Sequence, residues 1–330
     1  MWRYREWLPL EQGETPVTLG EGGTPLLPVP RLATALGVAN LWVKDEATNP
    51  CGSFKARGMA AAVTRARRGG APALIAPTAG NAGVALSAYG QRAGLPVYVF
   101  APRSTPPRLL EQTRLFGAEL RLLDGHIGDC GKAARAFAAE HGGFDVSTLR
   151  EPYRIEGKKT LGLEIAEQSG WQLPDAVVYP TGGGTGLIGM WLAFRALLEA
   201  GWATGSMPRL YSVQSSGCAP VVRAFEAGSP HTEPWADPRT VASGLRVPAP
   251  LGGAIILRAL RQSGGEAVAV SDEALSRDAA RLANLEGIDA CPEGGAAVAA
   301  LERLVARGSI GRDERVVLFN TGAGWLYRRG

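Results

Sequence analysis

Lysine is scarce in this 330-residue chain: of 35 basic residues only five are lysines, at positions 44, 55, 132, 158 and 159. Arginine is the better fixed cation, so surface charge does not require lysine here. What lysine can do and arginine cannot is lose its proton and attack a carbonyl. Cysteine is scarcer still, with four residues at 51, 130, 218 and 291 and no C-x-x-C pair. That spacing excludes the usual zinc modules and reads as reduced thiols, so no metal is expected. No eighteen apolar residues run together, and the opening MWRYREWLPL lacks an apolar run of signal-peptide length. The formal net charge is only +4, with both signs interleaved and no basic run or aromatic ladder, which argues against a nucleic-acid partner. A soluble, cytoplasmic protein without a membrane span is expected.

Glycine is the residue present in excess, at 44 positions, many of them clustered in short loops where a backbone comes close to something. Around them, short apolar runs alternate with helical stretches. LWVKDE (41–46), ALIAPTAGN (73–81), PVYVFAP (96–102), AELRLLDG and DAVVYPTGGGTG read as strands or as strands entering turns. RLYSVQSSG and RVVLFNTGAG (315–324) read the same way, and helices of ten or more residues lie between these runs. This alternation predicts an α/β fold of mostly parallel sheets flanked by helices. Ligands in such sheets bind beyond the carboxyl ends of strands, where TAGNAG, TGGGTG and NTGAG fall. The Pro-rich, polar segment 228–252 is expected to be a long ordered loop near the site.

Each glycine loop admits two readings. In TGGGTG, residues Gly182, Gly183, Gly184, Thr185 and Gly186 either form a tight strand–helix turn or offer amides that cup one phosphate. Gly184-x-Gly186-x-x-Gly189 matches the dinucleotide fingerprint, but the next strand ends in Gln214 and serines where a ribose would need an acid. In Thr78-Ala79-Gly80-Asn81, Asn81 is either a helix N-cap or a group facing a ligand whose carboxylate the amides hold. Thr321 is either a turn threonine bonding its own backbone or a hydroxyl at a strand end. Lys55, in NPCGSFKARG, follows a tight turn and opens a helix. A reactive lysine, a phosphate cup, a carboxylate loop and a hydroxyl together are what pyridoxal phosphate bound to an amino acid requires.

NPCGSFKARG, TAGNAG, TGGGTGLIG and NTGAG, in this order, resemble the fold-type II (tryptophan synthase beta-like) pyridoxal-phosphate enzymes. TLGEGGTPLLPVPRL, PYRIEGKKTLGLEI and the T-G-x-G ending resemble the threonine synthase family in particular. The resemblance runs from about Thr18 to Tyr327. It implies a two-lobed fold, with a large cofactor-binding lobe of 1–57 and 149–330 and a small mobile lobe of 58–148, assembled as a homodimer. It also implies that Lys55 is joined to the cofactor as a Schiff base and that Asn81 bonds its 3-oxygen. Gly182 to Gly186 with Thr185 would hold its phosphate, and Thr321 would face its ring nitrogen. Thr78, Ala79, Gly80 and Asn81 would line the substrate carboxylate. Ser147, Thr148, Arg154, Lys158 and Lys159 are the candidates for a substrate phosphate. For the last two, a solvated helix face is an equal reading.

The implied reaction is conversion of O-phospho-L-homoserine and water to L-threonine and phosphate, a carbon–oxygen lyase reaction. TGGGTG departs from the asparagine-bearing phosphate loops common in that family and is closer to dehydratases. The alternative is therefore a serine/threonine dehydratase or related β-eliminating lyase. A nucleotide-binding oxidoreductase would leave Lys55 unexplained, and a non-catalytic relative of the fold would leave Lys55 and Asn81 without work. A hydroxyl such as Thr321 does not keep a ring nitrogen charged as a carboxylate would, so a less protonated nitrogen is expected.

Overall fold

The computed structural model describes residues 1–328. In chain order its regular elements are β1 (Leu26–Pro28), α1 (Pro30–Leu36), β2 (Asn40–Asp45), α2 (Lys55–Arg68), β3 (Leu74–Pro77), α3 (Asn81–Ala93), β4 (Val97–Pro102) and α4 (Pro107–Leu115). They continue as β5 (Glu119–Leu123), α5 (Ile127–His141), β6 (Phe144–Asp145), α6 (Tyr153–Gln168), β7 (Ala176–Pro180), α7 (Thr185–Glu199), β8 (Arg209–Ser215) and α8 (Pro220–Glu226). The last are α9 (Gly253–Ser263), β9 (Ala267–Val270), α10 (Asp272–Glu286), α11 (Pro292–Ala306) and β10 (Arg315–Asn320). No helix among the described residues is long and apolar enough to cross a membrane.

The chain divides into two compact units. One comprises Met1–Gly23, Asn49–Thr160 and the segment from Leu326, and the other Thr24–Thr48 and Leu161–Trp325. The second unit holds a six-stranded sheet in the order β1-β2-β10-β7-β8-β9. Only the edge strand β1 is antiparallel to its neighbour; the remaining pairings are parallel. Strands covered on both faces read as continuous apolar runs, and β7 is buried along its whole length. Lys44 lies in β2 and is fully buried. Its ammonium donates to the Thr24 carbonyl at 2.7 Å, Gln168 Oε1 at 2.8 Å and the Glu164 carboxylate at 2.9 Å. This lysine is structural, because its donors are taken up by the fold.

The first unit holds a four-stranded, all-parallel sheet in the order β5-β4-β3-β6. Its core joins Ala56, Met59, Ala60 and Val63 of α2 to Leu86 and Tyr89 of α3 and to Val146. The N-terminal segment is tied to the same unit through Glu21. That carboxylate accepts from Trp2 Nε1 at 2.5 Å and from the Tyr89 hydroxyl at 2.6 Å. The contact-defined boundaries therefore differ from the expected 1–57, 58–148 and 149–330. Lys55 opens a helix whose buried face belongs to the first unit, and residues 1–23 and 149–160 go with it.

Helix α6 passes close to α2. A Cβ at Gly157 would collide with the backbone carbonyl of Arg57 and lie 3.0 Å from Ala61 Cβ. Such overpacking costs about 1–3 kcal/mol where the neighbour is backbone. Gly157→Ala is therefore expected to lower unfolding stability by that amount in a denaturant titration. An unchanged midpoint would show that the two helices can separate freely.

Candidate active site

The second unit gathers its candidate residues at one edge of the sheet. β2, β10 and β7 are adjacent and parallel, with Asn320 level with Asp45. Their carboxyl ends deliver Asp45, then Asn320-Thr321, then Thr181 and the glycine loop. Thr321 is buried, and its hydroxyl lies 3.6 Å from Cys291 Sγ. Gly184 is the N-cap of α7 with φ of 79°, a left-handed conformation that glycine adopts without strain. Its neighbours are glycines for reasons of packing. A Cβ at Gly182 would collide with the Gly244 carbonyl, one at Gly184 with Ile256, and one at Gly186 with the Tyr179 hydroxyl. What remains available to a ligand is the run of first-turn amides, which have no acceptor within their own helix and sit at its positive end. The loop at 228–252 does reach this region, since Gly244 meets Gly182 and its amide donates to Glu293 Oε1 at 2.7 Å.

The first unit gathers the others. Lys55 is the first residue of α2, and its Nζ stands 3.8 Å from the centroid of the Phe54 ring. Lys158 is fully buried, and its Nζ lies 4.6 Å from the same centroid. Gly58 makes room for it, because a Cβ there would sit 2.6 Å from that nitrogen. The sequence alone gave no means of pairing Lys55 with Lys158. Lys159 points elsewhere and pairs with Glu156 at 2.5 Å on the flank of α6, while Lys132 is exposed and pairs with Asp129 at 3.7 Å. Two lysines of five thus share one aromatic neighbour.

Strands β3 and β6 are paired neighbours, so Thr78–Asn81 and Ser147–Thr148 leave the same edge of this sheet. The Gly80 amide donates to Thr78 Oγ1 at 3.2 Å. Asn81 is not a cap: Gly80 occupies that position, and Asn81 is the first helical residue. Its Nδ2 donates to the Tyr327 hydroxyl at 3.1 Å. Its Oδ1 is buried with no hydrogen-bond partner among the described residues. Ser53 Oγ, two residues before Lys55, is in the same condition. Buried polar atoms without partners are costly, and a polar ligand would satisfy them.

Arg154 is buried on the first turn of α6. Its Nη1 donates to the Val146 carbonyl at 2.8 Å, and its Nε has no partner among the described residues. That bond brings it beside Ser147, whose own amide donates to Asp145 Oδ1 at 2.9 Å. Burial lowers the proton affinity of the Arg154 guanidinium, opposed by Glu151 and Asp145, while burial raises the Glu151 carboxyl. The four thiols are free, and burial pushes each up, Cys51 to about 12 and Cys130 and Cys218 to about 11. None of them is a ready nucleophile at neutral pH. Tyr327, Cys291 and Asn320 were not among the expected residues. Their partners lie far away in sequence, and no local pattern marks them.

The chain belongs to the family of pyridoxal-phosphate-dependent enzymes, which it matches over residues 17–322. Within that class its curated relatives include threonine synthase of Methanosarcina acetivorans, 38% identical over 323 residues that make up 98% of this chain and 79% of that protein. Threonine synthase of Methanocaldococcus jannaschii is 35% identical over 325 residues, 98% of this chain and 80% of that protein. Among solved structures, a T.th. threonine deaminase superposes with a TM-score of 0.76 at 27% identity, covering 93% of each chain. The cofactor of the family is pyridoxal phosphate. In the first unit Asn81 Oδ1 is buried with no hydrogen-bond partner among the described residues, and in the second the N-terminus of α7 presents first-turn amides; each by itself fits a polar group such as this cofactor carries.

The cup makes a direct expectation. Gly183, unlike Gly182 and Gly184, is partly exposed. Gly183→Asp would set a carboxylate against a bound phosphate, a like-charge clash in a partly buried site. The variant should fold with the wild-type far-ultraviolet spectrum and lose at least about tenfold in affinity for pyridoxal phosphate, about 1.4 kcal/mol. Unchanged affinity would place the phosphate elsewhere.

Proposed function

We propose that this chain is a threonine synthase, converting O-phospho-L-homoserine and water to L-threonine and phosphate. The observation that carries the reading is similarity across 98% of this chain to two threonine synthases at 35 and 38% identity. When bound, pyridoxal phosphate supplies the electron sink that makes an amino-acid α-proton removable. The rest falls to residues of this chain. Lys55 would anchor the cofactor and serve as the base that takes and returns protons at the substrate carbons. Asn81 would orient the cofactor through its amide, the glycine-loop amides would hold its phosphate, and Thr321 would face its ring nitrogen. The amides of the loop from Thr78 to Asn81 receive the substrate carboxylate at a helix N-terminus.

Arg154, with Ser147, Thr148 and Lys158, is assigned to the substrate phosphate. A guanidinium binds phosphate oxygens bidentately, and the same contact stabilises charge on the leaving group. Lys159 is already engaged by Glu156 and is left out of this assignment. Similarity to the threonine deaminase structure and the TGGGTG loop keep a dehydratase as the second reading. The family resemblance supports a homodimer and a cytoplasmic location.

Lys55→Ala should abolish the visible absorption of the holoenzyme together with turnover; a yellow, active variant would end the assignment of Lys55. Arg154→Ala should lower kcat/KM on O-phosphohomoserine at least tenfold, about 1.4 kcal/mol, with the cofactor spectrum intact. Turnover of unphosphorylated serine or threonine should change little. Brisk deamination of serine or threonine by the wild type, without threonine formation from O-phosphohomoserine, would replace the proposal with the dehydratase reading.

A further inference from the structure

The residues assigned to the substrate phosphate stand beside a carboxyl group that a phosphate dianion would repel. Glu151 lies between β6 and α6 and is 7% exposed. Its Oε2 accepts the Arg154 amide at 3.0 Å, and the Tyr153 amide stabilises the same carboxylate. Its Oε1 is buried with no hydrogen-bond partner among the described residues. Arg154, 3% exposed, is in the complementary condition. Its Nη1 is taken by the Val146 carbonyl, while its Nε has no hydrogen-bond partner among the described residues. The two groups act on each other electrostatically, but this oxygen and this nitrogen are not bonded to one another. A turn holds both near the end of β6, the Arg150 amide donating to the Ser147 carbonyl at 3.2 Å.

An ionised carboxylate oxygen can only accept and a guanidinium N–H can only donate. A ligand that satisfies both must therefore accept at Arg154 and donate at Glu151. A phosphate that carries one proton does this. A bare dianion sets oxygen against oxygen with no proton between them. The charged groups acting here are Arg154 and Lys158 of α6, Glu151, and Asp145 at the end of β6. Arg65 of α2 stands 5.6 Å from the Tyr153 ring centroid, but it is engaged by Glu11 and Glu14. Two cations against two carboxylates leave no surplus charge for a dianion. Burial, opposed first by Arg154, holds the Glu151 carboxyl above its ordinary value, so a proton is retained more readily there than on an exposed glutamate. The leaving group has the same need. Breaking the carbon–oxygen bond leaves the electron pair on phosphate, and without a proton the product would be the trianion.

We infer that Glu151 is a specificity-determining residue: the substrate phosphate binds with one proton held between its oxygen and Glu151 Oε1, so the site selects phosphate over sulfate, which carries no proton at neutral pH. This rests on the reading that Arg154 meets the substrate phosphate. The proton arrives with the phosphate monoanion, or from solvent where the dianion binds. It leaves with the product as hydrogen phosphate, and Glu151 remains a carboxylate.

The test is calorimetric titration of the holoenzyme with inorganic phosphate and with sulfate at about pH 8, above the second phosphate ionisation. Repeating it in buffers of different ionisation enthalpy counts the protons taken up. The wild type should take up about one proton per phosphate bound and bind phosphate at least about tenfold more tightly than sulfate. Glu151→Gln keeps an oxygen for the Arg154 amide and offers an N–H to either anion. It should take up no proton and bring the two affinities within about twofold of each other. Phosphate binding without proton uptake, or equal affinity for sulfate in the wild type, overturns the inference. So does a Glu151→Gln variant that keeps the wild-type proton count and selectivity. Arg154→Ala separates this from the underlying reading: if phosphate binds that variant as it binds the wild type, or does not bind the wild type at all, both fall. If Arg154→Ala abolishes binding but the wild type takes up no proton, the inference falls alone. Should Glu151→Gln fail to fold, the wild-type proton count and the sulfate comparison still decide it.

Discussion

Three parallel strands that end side by side are the constraint on which the second unit depends. In a parallel sheet every strand leaves at the same edge, so whatever follows β2, β10 and β7 must meet there. Asp45 and Asn320 meet across that edge as a 2.8 Å hydrogen bond, and Thr321 and the glycine loop are the next residues along their strands. The fold thereby places an acid, the Asn320-Thr321 pair and a row of first-turn amides at one edge, from three stretches far apart in sequence. The first unit uses the same device on a smaller sheet, where β3 and β6 bring Thr78–Asn81 and Ser147–Thr148 to one edge.

Glycine serves the two units differently from what a phosphate cup alone would require. The positions 182, 184 and 186 are held small by Gly244, Ile256 and Tyr179, protein atoms and not ligand atoms. The amides of the loop are a property apart from its glycines, since any residue but proline would offer them. At α2 and α6, Gly58 and Gly157 serve a further purpose: they let two helices approach closely enough for Lys158 to be buried beside Phe54. The relation of Lys158 to Lys55 is thus a product of helix packing.

Alternating strands and helices were legible in the sequence because their signals are local: β4 follows PVYVFAP and β8 follows RLYSVQSSG. The glycine turns at strand ends were legible for the same reason. Asn81 shows where local reasoning stops, since a cap and a first helical residue look alike in sequence. The cap reading falls only when Gly80 is seen to take that position and the Asn81 Nδ2 to donate to Tyr327. The short edge strand β1 lay hidden in a Pro-rich stretch, being only three residues long. The unit boundaries were drawn by Glu21, Tyr89 and the buried face of α2, which join residues far apart in the chain. Among the lysines, sequence singled out Lys55 by its turn, but only the structure assigned Lys44 to Glu164 and Lys159 to Glu156.

The central claim is that one lysine of five carries the cofactor. Two buried or partly buried amines share the Phe54 ring, so chemistry must choose between them. Borohydride reduction of the holoenzyme converts a lysine–cofactor linkage into a stable one, and peptide mapping by mass spectrometry then locates it. The account predicts the cofactor mass on Lys55, in the peptide containing SFKARG, and none on Lys158. Label on Lys158, or no label on any lysine, would contradict it.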